Sequence, residues 1–202
     1  MVERIICLEG IVGAGKSTQV GLLYSHLSPN CYLIPELNQY SPMIEAIARW
    51  KLQLAKRGRS YSFEEEDIID LAKARAQTQK LLLKEAKTKT VVMDRGIYTS
   101  VAFESDRISP EDVEKINISA GVIIPDECII LDCSVETALT RVDERRIRLG
   151  IHKQRAAHEN DFTITRIRKA YQEIAKRKCI PLINTEGTEQ EIFEQVRRTL
   201  KV

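Results

Sequence analysis

The stretch GIVGAGKS, residues 10–17, follows the apolar run RIICLE and opens the helical pattern KSTQVGLLYSHL. A G-x4-G-K-S spacing between a strand and a helix is typical of a phosphate-binding loop, or P-loop. Gly10, Gly13 and Gly15 leave room for backbone N–H groups around phosphates, and the helix N-terminus adds its own free N–H groups. The stretch therefore predicts a nucleotide site in which Lys16 contacts the β- and γ-phosphates and Ser17 binds Mg²⁺.

Short apolar runs alternate with helical patterns along the rest of the chain. The runs RIICL, CYLIPE, TVVMD, ECIILDC and CIPLIN indicate strands, and Thr188 with Glu191 forms a capping-box pattern for the last helix. Such alternation predicts a parallel sheet with helices on both faces and a functional edge at the carboxyl ends of the strands. We expect a three-layer α/β fold of the P-loop NTPase type, with a five-stranded parallel sheet, in one domain over residues 1–202.

The composition indicates where the protein is located in the cell and which binding partners it lacks. The 31 basic and 29 acidic residues nearly balance, which argues against binding to a nucleic acid polymer. The cysteines show no metal-ligand spacing and are expected to be mostly buried thiols in a reducing compartment. No apolar stretch is long enough to span a membrane and no signal-peptide pattern opens the chain, so we expect a cytoplasmic protein without a membrane partner.

Asp94 and Arg95 follow the apolar run of the third predicted strand. A carboxylate at the end of a strand in a P-loop protein is placed to support Mg²⁺, often through a water molecule. The adjacent Arg95 brings a permanent positive charge to the same cleft. The pair predicts a second part of the site, beside the P-loop.

Basic residues concentrate between residues 141 and 155. Phosphoryl transfer depends on cations that close over the transferring group, and the variable positions of this P-loop contain no arginine. We therefore expect a mobile Arg-rich lid near residues 145–158, which would supply Arg145, Arg148 or Arg155.

Four segments in order resemble the thymidylate kinase family of P-loop nucleoside monophosphate kinases, which is related to the deoxynucleoside kinases. They are CLEGIVGAGKSTQ, VVMDRGIYTSVAF, PDECIILDCSVETALTRVDER and HENDFTITRIRKAYQEIA. The resemblance covers most of the chain and implies an ATP-dependent nucleotide kinase of nucleotide biosynthesis. It also implies Mg²⁺ as cofactor, ATP as donor, a dTMP-like deoxynucleoside monophosphate as acceptor, and a homodimer.

The resemblance assigns expected roles to individual residues. The expected ATP contacts are Gly10, Gly13, Ala14, Gly15, Lys16, Ser17, Thr18 and Arg141. The expected catalytic residues are Lys16, Arg95, Arg145 and Arg155. The expected acceptor contacts are Glu36, Leu71, Arg75 and Arg95, of which Glu36 comes from the likeness to the related deoxynucleoside kinases. The expected metal ligands are Ser17 and Asp94.

The acceptor side departs from the family pattern, which leaves the base unnamed. Val12 replaces an aspartate that contacts the sugar in the family, and Leu71 replaces an aromatic residue that stacks on the base. The segment IPELNQY instead resembles deoxynucleoside kinases, in which a carboxylate after the second strand is the general base. Glu36 could deprotonate a nucleoside hydroxyl in this way, so a deoxynucleoside kinase is one alternative. A nucleotide-binding switch without efficient turnover is the other.

Overall fold

The computed structural model describes residues 2–58, 63–87, 90–151 and 159–202. Strands and helices alternate along them, with a short 3-10 helix at Leu37–Gln39. The strands are β1 (Arg4–Gly10), β2 (Cys31–Ile34), β3 (Thr90–Asp94), β4 (Glu127–Asp132) and β5 (Leu182–Asn184). The helices are α1 (Lys16–Leu27), α2 (Ser41–Lys56), α3 (Glu65–Glu85), α4 (Ile97–Glu104), α5 (Pro110–Ser119), α6 (Val135–Arg148), α7 (Asp161–Lys178) and α8 (Glu189–Leu200).

The strands form one parallel sheet in the order β2-β3-β1-β4-β5. The central strand is β1, in which Leu8 pairs with Asp94 of β3 and Gly10 pairs with Leu131 of β4. The P-loop therefore begins at the carboxyl edge of the sheet, directly beside the end of β3. This topology confirms the expected five-stranded α/β fold.

Helices cover both faces of the sheet. Ile6, Cys7 and Leu8 are all fully buried, although successive residues of a strand point to opposite faces. On the sheet, α1 contacts β1 and β3, α4 contacts β1, and α7 contacts β4. The central strands thus form a packed base for the loops at the carboxyl edge.

The helix ends follow the sequence patterns closely at α1 and α8. The first helix begins at Lys16, and the last one has the expected capping box between Thr188 and Glu191. Along the described ranges, no helix combines the length and apolar character that crossing a membrane requires.

The sequence patterns do not predict α4. Its residues, IYTSVAFE, include β-branched and aromatic side chains that lower helix propensity, and no side chain caps it at Gly96. Burial stabilises this helix instead, since Ile97, Val101 and Ala102 are almost completely inaccessible to solvent. Because α4 begins two residues after Arg95, it determines where that arginine lies.

Candidate active site

The P-loop runs between β1 and α1 in close contact with β4 and α6. Gly10 and Gly13 have φ angles of 136° and 79°, in the region that favours glycine. A Cβ atom at Gly10 would lie 2.2 Å from the carbonyl oxygen of Leu131, and one at Gly13 would lie 2.3 Å from that of Ala138. Both positions therefore require glycine, for conformation and for space.

Lys16 lies inside the P-loop. Its Nζ donates a 2.6 Å hydrogen bond to the carbonyl oxygen of Ile11, and the residue is only 6% exposed. Burial, followed by the charge of Arg95, lowers the pKa of Lys16 to about 7, and nearby carboxylates partly oppose this effect. An anion in the loop would replace the missing solvation of the ammonium group.

Ser17 and Asp94 meet at the carboxyl edge, as the sequence predicts. The Ser17 hydroxyl donates a 3.1 Å hydrogen bond to Oδ2 of Asp94. The other oxygen, Oδ1, is buried and accepts no hydrogen bond from the residues that the structure describes. A hydroxyl and a carboxylate with a spare oxygen match the hard oxygen ligands that Mg²⁺ prefers.

The described residues line two cavities at this edge. The P-loop cavity has a volume of about 660 Å³ and is lined by the loop, by the exposed Thr18, and by residues of α6. The apolar cavity has a volume of about 810 Å³ and is lined mainly by α2, α3 and α4. Glu36 and Arg95 line both cavities, so they mark the boundary between them.

Arg95 is held at this boundary in an unusual conformation. Its φ angle is 72°, which few residues other than glycine adopt. Its Nη1 donates to the carbonyl oxygen of Gly10 at 3.2 Å and to Oγ1 of Thr99 at 3.4 Å. Its Nε lies 2.9 Å from Oε1 of Glu36, but this ion pair lacks hydrogen-bond geometry, and Nε is otherwise unpartnered within the described chain. Arg95 thus has a donor available to an anion.

The other expected acceptor residues line the apolar cavity. Leu71 and Arg75 both project from α3 and are nearly buried. Nη1 of Arg75 donates to Ser100 at 2.7 Å and to Asn117 at 2.6 Å, while Nη2 donates to Glu104 at 2.9 Å. The structure therefore brings together all the expected acceptor contacts: Glu36, Leu71, Arg75 and Arg95.

The sequence patterns indicate neither the partners of Arg75 nor one wall of the apolar cavity. Ser100 and Glu104 are four residues apart in a segment whose helical nature was not recognised, and this spacing is the signal that places them on one face. Trp50 stacks on Phe63 with ring centroids 4.4 Å apart, and both rings line the cavity.

The arginines expected in the lid are only partly described. Arg145 and Arg148 lie on α6 and line the P-loop cavity, and Arg145 forms a 3.4 Å ion pair with Glu159. Arg141 donates to the carbonyl oxygen of Thr185 at 2.7 Å and lines the same cavity. Arg155 and the rest of residues 152–158 lie outside the described residues. The lid and its catalytic arginine therefore stay predictions.

A P-loop beside a serine–carboxylate pair, with an arginine between two cavities, defines a phosphotransferase of the P-loop nucleotide kinase class. The family model described as thymidylate kinase matches residues 8–196. The chain belongs to the thymidylate kinase family, which confirms the resemblance.

Individual relatives agree with the family. The thymidylate kinase of Symbiobacterium thermophilum is 26% identical over 205 residues, which cover 97% of this chain and 92% of the relative. The probable thymidylate kinase of Methanocaldococcus jannaschii is 27% identical over 203 residues, covering 100% and 98%. A crystal structure of thymidylate kinase from Ehrlichia chaffeensis is 20% identical and superposes with a TM-score of 0.67 over 100% of both chains, which confirms the fold.

Family membership confirms the expected activity class. The chain is an ATP-dependent nucleotide kinase. This result favours an enzyme over a nucleotide-binding switch without turnover.

Proposed function

We propose that this kinase transfers the γ-phosphoryl group of ATP to the phosphate of dTMP. Relatives along the whole chain are named thymidylate kinases. One observation carries the proposal: the guanidinium of Arg95 lies between the P-loop cavity and the apolar cavity, with an Nε–H that donates no hydrogen bond to the described residues and lies 2.9 Å from the Glu36 carboxylate. An acceptor phosphate bound there would face the donor phosphates across the boundary.

The residues at the boundary fit the chemistry of phosphate-to-phosphate transfer. The P-loop and Lys16 would hold the donor phosphates, and Arg95 would hold the acceptor phosphate and reduce the repulsion between the two anions. The acceptor oxygen is already ionised, so the reaction needs alignment and charge stabilisation rather than a base. Arg141 and Arg145, which line the P-loop cavity, would contact ATP. Arg155, which lies outside the described residues, keeps its expected catalytic role.

Mg²⁺ is part of the same proposal. Ser17 and the free Oδ1 of Asp94 would hold the ion directly or through water. When bound with ATP, Mg²⁺ neutralises charge on the β- and γ-phosphates.

The apolar cavity would bind the nucleoside part of the acceptor. Leu71, Trp50 and Phe63 supply apolar surface for a base, while Arg75 supplies hydrogen-bond donors fixed by three protein partners. The N–H groups of Arg75 that these partners do not use could donate to an acceptor atom of the base.

A nucleoside kinase is the second candidate, and the position of Glu36 favours it. Its carboxylate is 44% exposed at the boundary of the cavities, where a sugar hydroxyl could also lie. A carboxylate there could accept the hydroxyl proton during transfer. The two candidates differ in the acceptor alone.

A substrate panel tests the proposal. The purified protein with Mg-ATP would be screened against nucleosides and their monophosphates, following ADP release, with Lys16→Ala as the control for contaminating kinases. We expect turnover with dTMP and other deoxynucleoside monophosphates. Turnover with nucleosides alone would refute the monophosphate assignment.

We also propose a homodimer, from the family resemblance, and a cytoplasmic location and one folded domain over residues 1–202, from the sequence patterns. Sedimentation equilibrium would report a mass of two chains if the dimer forms, and one chain if it does not. A single thermal unfolding transition would support the single domain.

A further inference from the structure

Glu9 is a buried carboxylate at the end of β1 that no part of the proposed reaction uses. It is 0% exposed and lies directly before Gly10, the first residue of the P-loop. Both oxygens are fully engaged: Oε1 accepts from the backbone N–H groups of Gly96 and Thr99, and Oε2 accepts from the hydroxyls of Thr99 and Tyr171. Burying a carboxylate is costly unless such bonds compensate it.

The first contacts of Glu9 fix the start of α4. The Gly96 and Thr99 N–H groups lie 2.8 and 3.0 Å from Oε1, at a helix N-terminus that has no side-chain cap of its own. A carboxylate at this position satisfies free N–H groups and opposes the positive end of the helix dipole. A residue of β1 therefore replaces the missing local cap of α4.

The same contacts hold Arg95 in its left-handed conformation. The Arg95 N–H donates to the carbonyl oxygen of Leu8 at 3.1 Å, and the next N–H, that of Gly96, donates to Glu9. Two successive residues of β1 thus bind two successive N–H groups of the Arg95 turn. This conformation costs energy in any residue other than glycine and persists only where surrounding contacts enforce it.

Glu9 also reaches the guanidinium of Arg95 through Thr99. The Thr99 hydroxyl donates to Oε2 of Glu9 at 2.6 Å and lies 3.4 Å from Nη1 of Arg95. Tyr171 of α7 completes the cluster, with its hydroxyl 3.0 Å from Glu9 and 2.9 Å from Thr99. Burial raises the pKa of Tyr171 well above its usual value, so its hydroxyl remains a donor.

We propose that Glu9 is the positioning residue that aligns the acceptor-binding Arg95 with the P-loop. Glu9 precedes Gly10 in the chain. It also accepts a hydrogen bond from the turn at Arg95 and contacts the Arg95 guanidinium through Thr99. The distance between the donor and acceptor phosphates is then set by Glu9 rather than by independent loops. This inference rests on the proposed role of Arg95 as the acceptor-phosphate contact.

Two variants separate positioning from simple stability. Glu9→Gln removes the negative charge and replaces one carboxylate oxygen with an NH₂ group. The remaining oxygen can still accept from the N–H groups of Gly96 and Thr99. The NH₂ group cannot accept from the hydroxyls of Thr99 and Tyr171, so these hydroxyls would have to accept from it instead. Thr99→Val removes only the hydroxyl that connects Glu9 with Arg95. The matched control is Gln79→Leu, since Gln79 is also fully buried and also accepts a backbone hydrogen bond, from Ile123, at 2.9 Å.

Steady-state kinetics give the first readout. We expect Glu9→Gln and Thr99→Val to lower kcat/KM for dTMP by about 10-fold or more, because small misplacements of reacting groups have effects of this size. The Kd for Mg-ATP should change less than about 3-fold, since the P-loop keeps its own contacts. The positioning role would be overturned if kcat/KM fell in proportion to Tm across the variants and Gln79→Leu caused the same loss of kcat/KM.

The Nε–H signal of Arg95 in a ¹⁵N NMR spectrum gives a second readout that needs no acceptor. The signal would be assigned by its loss in Arg95→Lys. Both variants should shift or broaden it, whereas Gln79→Leu should leave it unchanged. An unchanged signal in Glu9→Gln would overturn the inference even if the kinase is active. A shifted signal with no turnover on any monophosphate would instead support the positioning and refute the proposed acceptor.

Discussion

Glu36→Gln tests how the boundary between the cavities works. The substitution keeps the shape of the side chain and removes its charge from beside Arg95, whose Nε lies 2.9 Å away. At this distance two charges in an environment of intermediate polarity would attract by about 6 kcal/mol. Glu36 is 44% exposed, however, and exposed ion pairs contribute only about 0.2–1 kcal/mol when measured.

The expected effect follows from competition for Arg95. An acceptor phosphate must displace the Glu36 carboxylate or share the guanidinium with it. Losing an opposing interaction of up to about 1 kcal/mol lowers KM for dTMP by up to about 5-fold. The value of kcat should stay within about 10-fold of the parent, since no proton has to be removed from a phosphate acceptor.

The assay is initial velocity against dTMP at saturating Mg-ATP, supported by calorimetric titration of dTMP. Glu45→Gln is the matched control, because Glu45 is an exposed carboxylate on α2 that contacts Ser41 and lies outside both cavities. A fall in kcat of about 10²-fold or more with KM almost unchanged would refute the reasoning. Glu36 would then act in the transfer step itself, as a general base does, rather than by competing with the acceptor phosphate for Arg95.

Three further predictions concern the donor side. Lys16→Ala should reduce transfer by at least about 10²-fold, because a preorganised cation is lost from the phosphates; near-normal kcat would contradict the assignment. Gly13→Ala should destabilise the fold by about 1–3 kcal/mol in chemical denaturation and weaken ATP binding, since the φ angle is 79° and the new Cβ would meet the Ala138 backbone. Asp94→Asn should raise the Mg²⁺ concentration for half-maximal activity, and an unchanged Mg²⁺ titration would exclude Asp94 from the metal site.

The sequence alone predicted the parts of the site whose residues are adjacent in the chain or lie at the ends of neighbouring strands. The P-loop is contiguous, and a parallel sheet brings the ends of its strands to one edge, so Ser17 and Asp94 could be placed together without coordinates. The same reasoning placed Arg95 beside them. The order of the strands required the structure, because it depends on packing between distant segments.

Nonlocal contacts explain what the sequence patterns did not predict. α4 has low intrinsic propensity and is stabilised by burial and by Glu9, which is 87 residues before Gly96 in the chain. The partners of Arg75 come from α4 and α5, and their donors and acceptors match only in the folded protein. Arg145 and Arg148 both belong to α6, because the helical pattern continues to Arg148, and the lid expected near residues 145–158 stays a prediction.

The ratio of kcat/KM for dTMP to kcat/KM for thymidine, measured at saturating Mg-ATP, tests the central claim most directly. If Arg95 holds an acceptor phosphate at the boundary of the two cavities, the ratio should exceed about 10³, since thymidine lacks the group that the arginine binds. Arg95→Lys should reduce the ratio by lowering the value for dTMP, because lysine cannot reproduce the guanidinium geometry. A ratio of one or below in the parent enzyme would contradict the account.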